Sequence, residues 1–200
     1  MINKKTYSKI KKLYGSDSSW AIWSDPENKN FKTKSNIDDL ACFKDEVALI
    51  KKIKTKYIFV GYNPAIHKKN KTQAAWSSFH SGDKKRSQDY KLRYALKCSE
   101  YWGSFITDLY PEIKSRNIEL ANIKISENDT RKAIKRLINI RDLLGGKATI
   151  VAIGYKTYEV LKRNPLPNTK LIRIKHYSCR INQDTYREEV LCALECNKNS

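Results

Sequence analysis

Four short apolar runs constrain this chain more than anything else in it. Residues 57–61 (YIFVG), 104–109 (SFITDL), 149–154 (TIVAIG) and 170–175 (KLIRIK) are continuous and rich in β-branched or aromatic residues, where a strand with one wet face would alternate. They read as strands buried on both faces. The segments around them carry helical spacing instead. Residues 35–52 set Ile37, Leu40, Phe43, Val47 and Ile50 on one stripe, and 130–144 does so with Ile134, Leu137, Ile138 and Leu144 before Gly145 and Gly146 stop it. Residues 155–163 form a short helix ended by Asn164-Pro165, and 185–196 aligns Tyr186, Val190, Leu191 and Leu194. Residues 87–99 read as a further helix. Strands separated by helical crossovers predict an α/β fold with a parallel sheet covered on both faces.

At 200 residues and 40% hydrophobic content, one domain spanning 1–200 can bury a sufficient core without staples. Five cysteines without a C-x-x-C pair do not suit a secreted disulfide framework, so a reduced, cytoplasmic setting is expected. The basic N-terminus, MINKKTYSKIKK, lacks the apolar stretch of a signal peptide, and nowhere do about 18 apolar residues run together, so no membrane association is expected. Forty Lys and Arg against 21 acidic residues give a formal charge of +19. That balance fits a polyanionic partner, because neutralising phosphates releases their counterions, and it fits a merely solvated surface equally well.

Open parallel sheets bind ligands just outside the carboxyl ends of their strands. Those positions here hold Gly61-Tyr62-Asn63-Pro64, Thr107-Asp108, Gly154-Tyr155-Lys156-Thr157 and His176-Tyr177-Ser178-Cys179-Arg180. Polar groups with catalytic potential therefore converge on one sheet edge.

A strand ending in Gly-X-Asn-Pro, a second ending in Ile-Thr-Asp, a Val-Ala-Ile-Gly strand entering a helix and a last strand ending in His-X-Ser resemble, in that order, the uracil-DNA glycosylase superfamily. WSSFHSG, DYKLRYAL and YWGSFITDLY are similar to a bacterial branch of it. The likeness spans roughly residues 57 to 182. It implies a three-layer α/β/α sandwich around a four-stranded parallel sheet, and hydrolysis of the bond between a flipped base and its sugar in DNA, single- or double-stranded, by a cofactor-free and metal-free monomer. By the same resemblance Asn63 orients the attacking water, since a neutral amide cannot act as a general base near neutral pH. His176 would donate a hydrogen bond to the leaving base. Phe79 would stack on that base and Asp108 read its edge, with Gly61, Tyr62, Pro64 and Ser178 completing the substrate-binding set. Lys156 and Thr157, at a helix N-terminus, are placed to meet a phosphate, and Arg180 and Ile181 stand where the superfamily carries a wedge that fills the hole left by flipping. Two positions depart from the pattern. Tyr177 follows the histidine where Pro is usual, and Asp108 stands where several branches have Asn.

Each of these residues also has a plainer reading. Asn63-Pro64 is a common turn, His176 could be a satisfied buried histidine, Phe79 could be core, and Asp108 could cap a helix start or pair with a nearby Lys or Arg. His67 and His80 read as surface or supporting residues, with His80 able to line the pocket, and Trp20 and Trp23 as packing. Alternatives to base excision are a nucleic-acid-binding protein on the same scaffold, or an enzyme acting on RNA or a free nucleoside. The cysteines lack the spacing of an iron–sulfur site, and no phosphate-loop or dinucleotide fingerprint is present, so no cofactor is expected.

Overall fold

The computed structural model describes residues 2–64, 74–81, 87–113 and 124–197. His67 lies outside them. Six α-helices and five strands follow in the order α1 (Lys4–Tyr14), β1 (Ser18–Trp20), α2 (Glu46–Lys52), β2 (Lys54–Gly61), α3 (Asp89–Leu96), β3 (Ser104–Asp108), α4 (Glu127–Leu143), β4 (Thr149–Ile153), α5 (Tyr155–Arg163), β5 (Leu171–Ile174) and α6 (Gln183–Cys196). The strands form one sheet ordered β1-β3-β2-β4-β5. The four expected strands are all present and mutually parallel, but the sheet is five-stranded and mixed, because β1 joins β3 antiparallel at the edge.

β1 escapes a hydrophobic pattern because it is three residues long and two of them are serines. Both hydroxyls are buried and paired, Ser18 Oγ with Thr107 Oγ1 at 2.8 Å and Ser19 Oγ donating to the Trp76 carbonyl at 2.8 Å. Hydrogen bonding replaces the apolar side chains that would have announced a strand.

Successive strand residues point to opposite faces, and here both faces are dry. Ile58, Val60, Phe105, Ile150 and Ala152 face one cluster, against Tyr7, Ile10 and Tyr14 of α1, Leu49 of α2, Leu137 and Ile140 of α4 and Leu161 of α5. Phe59, Ile106, Val151, Ile153, Ile172 and Ile174 face the other, against Leu92 and Leu96 of α3 and Tyr186, Val190 and Leu194 of α6. Helices therefore cover both sides of the sheet. No helix among the described residues is long and apolar enough to cross a membrane.

Two helical expectations change. The stripe over 35–52 is not one helix: a 3-10 turn at Ala41–Phe43 is followed by a separate α2 whose cap is Asp45, its carboxylate accepting from Ala48 N at 3.0 Å. Val47, expected in the stripe, is 62% exposed. α1 was legible only as a basic terminus. Tyr7, Ile10 and Tyr14 nonetheless recur at helical spacing among its lysines, and Asn3 caps it by accepting from Thr6 N at 2.8 Å.

One buried cation holds a long irregular segment. Arg93 of α3 is fully buried, and its Nη atoms donate to the carbonyls of Ser24, Thr33 and Ser35 at 3.3, 2.8 and 2.8 Å. Burial lowers its pKa to about 10, so it keeps its charge near neutral pH. Arg93→Met strands three carbonyls and is expected to destabilise the fold by about 2 to 4 kcal/mol, read as a lowered denaturant midpoint at unchanged slope.

Candidate active site

The register of the two innermost strand ends sets the site. Gly61 lies directly beside Asp108, and the pairing continues past the strands, with Leu109 N donating to Gly61 O at 2.9 Å and Tyr110 N to Tyr62 O at 3.0 Å. A methyl group added at Gly61 would sit 2.2 Å from Asp108 Oδ1 and 3.5 Å from Phe79 Cε1. Three sequence-expected site residues, Gly61, Phe79 and Asp108, are thus in one place. Gly61 does not have the positive φ of a glycine-dependent turn; its missing side chain makes room for a carboxyl.

That carboxyl is 6% exposed. Burial raises its pKa to about 7, with Asp89 and Asp17 adding to the rise and Arg136 opposing it. Arg136 itself is engaged elsewhere. Its Nη2 pairs with Asp17 Oδ1 at 2.6 Å and its Nη1 donates to Thr107 Oγ1 at 3.0 Å and to the Asp108 backbone carbonyl at 3.3 Å.

Phe79 is held by a strained loop. Its φ is +65° and that of Trp76 is +70°, conformations that bulky residues rarely adopt without surrounding support. The support is visible. Trp23 Nε1 donates to the Phe79 carbonyl at 3.1 Å, and the Trp23 ring stacks on His80 at 5.3 Å. His80 is buried, with Nε2 2.8 Å from Ile22 O and Nδ1 2.8 Å from Ser78 O, and burial lowers its pKa. It anchors the loop from beneath. Trp23, expected to be packing alone, also fixes Phe79.

His176 stands just beyond β5. Its Nδ1 accepts from Ser178 N at 3.1 Å and lies 2.8 Å from Ser178 Oγ. A backbone N–H can only donate, so Nδ1 is the acceptor and the neutral ring carries its proton on Nε2. Burial pushes the pKa down to about 4, so the ring is neutral at pH 7. Its carbons pack 3.3 to 3.8 Å from where a Gly154 side chain would begin, which brings the end of β4 against the end of β5. Ser178 thereby becomes a positioning residue for the histidine.

Tyr177 joins the two halves. Its ring lies 4.4 Å from that of His176, and its hydroxyl bonds Asp89 while sharing the neighbourhood of Asp108. Burial, then these two carboxyls, hold its pKa well above the usual phenol value. Asp89, in the first turn of α3, also accepts from Ser81 N at 2.9 Å. Lys91 of the same helix is buried, and its Nζ donates to the carbonyls of Cys179 and Ile181 at 2.9 and 2.8 Å, clamping the loop that follows His176. Sequence reasoning missed Asp89 and Lys91. The available signal was an aspartate at position 89, in register with Leu92 and Leu96 on the buried stripe of α3.

The remaining expected residues are placed as follows. Asn63 Nδ2 donates to Ile113 O at 2.8 Å and to Pro64 O at 3.3 Å, which fixes the plane of the amide. Tyr62 turns its ring onto Tyr110, at 5.2 Å, and packs with the first cluster, whereas Phe79 packs with the second. Thr157 is buried and donates its hydroxyl to Ile153 O at 3.2 Å, which leaves the backbone N–H groups of the first turn of α5 as the expected phosphate donors. Lys156 is exposed at the start of α5. Arg180 is exposed, whereas Ile181 is half-buried against the α3/α6 cluster, which leaves Arg180 as the outward member of the expected wedge pair.

Among the described residues no group of three or more potential ligands could hold a metal ion. Cys192 and Cys196 sit one helical turn apart on α6, Sγ to Sγ 3.7 Å. Comparisons with family models, curated proteins and solved structures find no match for this chain.

Proposed function

We propose that this chain is a DNA N-glycosylase of the uracil-DNA glycosylase type, acting on a flipped base without a cofactor. The observation that carries the reading is His176: a neutral imidazole with Nδ1 fixed by Ser178, offering an Nε2–H donor at the same sheet edge as Gly61, Phe79 and Asp108. A donor of this kind favours a leaving base whose oxygen gains negative charge as the C1′–N bond breaks and the base takes the electron pair. Asn63 orients the water whose oxygen bonds to the cationic C1′, and the water's proton passes to solvent. Phe79 supplies the stacking face. The net charge of +19 suits the phosphate backbone, and Arg180 and Lys156 are exposed cations within these strand-end motifs.

A nucleic-acid-binding protein that keeps the scaffold without excision is the second reading, favoured by Asp108 and Tyr177, the two departures from the pattern. Incubating the protein with single- and double-stranded oligonucleotides bearing uracil, hypoxanthine or other altered bases separates the two. Alkali-labile abasic sites are expected on at least one substrate, and their absence across the panel at excess protein leaves only the binding reading. The product-forming rate is also expected to drop as the pH falls through about 4, because protonation of Nδ1 displaces the Ser178 N–H that aims the ring.

A further inference from the structure

Resting on the base-excision reading, we propose that Asp108 reads the base edge as a neutral carboxylic acid, so that recognition of bases presenting an N–H beside a carbonyl is gated by pH. The geometry is that of a reading group: the carboxyl is buried and lies beside Gly61 at the ligand-binding edge of the sheet. Phe79 stands beside the same spot, so a planar heterocycle stacked on that ring turns its edge towards the carboxyl.

The surroundings select the neutral form. Asp89 on α3 and Tyr177 after β5 share its side of the sheet, Asp17 lies before β1, and the one opposing cation, Arg136 on α4, spends its guanidinium on Asp17 and on backbone and hydroxyl oxygens. The Tyr177 hydroxyl is committed to Asp89. Burial outweighs the partial compensation from Arg136, and the pKa of Asp108 accordingly rises to about 7. A neutral acid offers one donor and one acceptor, which match a carbonyl and its adjacent N–H. The ionised form offers acceptors alone and faces the carbonyl oxygen with like charge.

The test is binding of a single-stranded oligonucleotide carrying one 2′-fluoro-2′-deoxyuridine, which resists cleavage, relative to the same strand with a tetrahydrofuran abasic analogue. The affinity ratio in the wild type is expected to hold below about pH 6.5 and to fall about tenfold by about pH 8.5, while Asp108→Asn, a permanent donor and acceptor, holds it level. A level ratio in the wild type, a ratio of one at every pH, or a variant that keeps the fall overturns the proposal. The wild-type profile decides even if the variant does not fold. Base release from the matching deoxyuridine strand at about pH 6 is measured alongside. Release with a level ratio removes the role of Asp108 and leaves the glycosylase reading; a falling ratio without release does the reverse.

Discussion

Replacing His176 with alanine is expected to lower the rate of base release by about a hundred- to a thousandfold while leaving the unfolding midpoint nearly unchanged. The side chain is half-buried and its polar contacts run to Ser178 in its own loop, so little of the fold depends on it. In the proposed reaction, chemistry depends on it far more, because the neutral ring, aimed through Nδ1, would offer its Nε2–H without reorganisation as charge builds on the departing base. Ser178→Ala removes the hydroxyl and keeps the backbone donor, so a loss of about tenfold or less is expected, read in kcat under single-turnover conditions. A His176→Ala variant that releases base at the wild-type rate removes the histidine from the reaction.

The second large effect is expected at Gly61. Alanine there places a carbon 2.2 Å from Asp108 Oδ1, closer than non-bonded atoms approach, and the carboxyl it strikes is buried on a short side chain. Asp108 must swing away or the strand ends must part. A stability loss of about 1 to 3 kcal/mol is expected, with at least a tenfold loss of base release because the reading group is displaced. Denaturant melts and product formation on the same preparation check both. Unchanged activity with a full stability loss detaches Asp108 from substrate binding.

Much of the fold was legible where side-chain chemistry and position agree. The four parallel strands announce themselves because burial on both faces demands unbroken apolar runs, and the residues at their carboxyl ends include Gly61 and Asp108, which the register brings side by side. Legibility failed where hydrogen bonds do the work of hydrophobic burial. β1 is held through Ser18 and Ser19, the loop of Phe79 through the Trp23 indole and the His80 ring, and the loop of Ile181 through the Lys91 ammonium. None of these partnerships follows from local spacing, since the partners lie tens of residues apart. Gly61 shows a further limit. Its motif suggested a place in the substrate-binding set, and only the register of β2 against β3 shows that it clears space for Asp108.

The most direct measurement is chromatographic detection of free base released from a uracil-containing oligonucleotide, single-turnover and with protein in excess, for the wild type beside Asn63→Ala and His176→Ala. The account predicts stoichiometric base and abasic strand from the wild type, with both variants slower by about tenfold or more. Equal rates for all three, or DNA bound tightly by the wild type with no base released from any deaminated substrate, would contradict it.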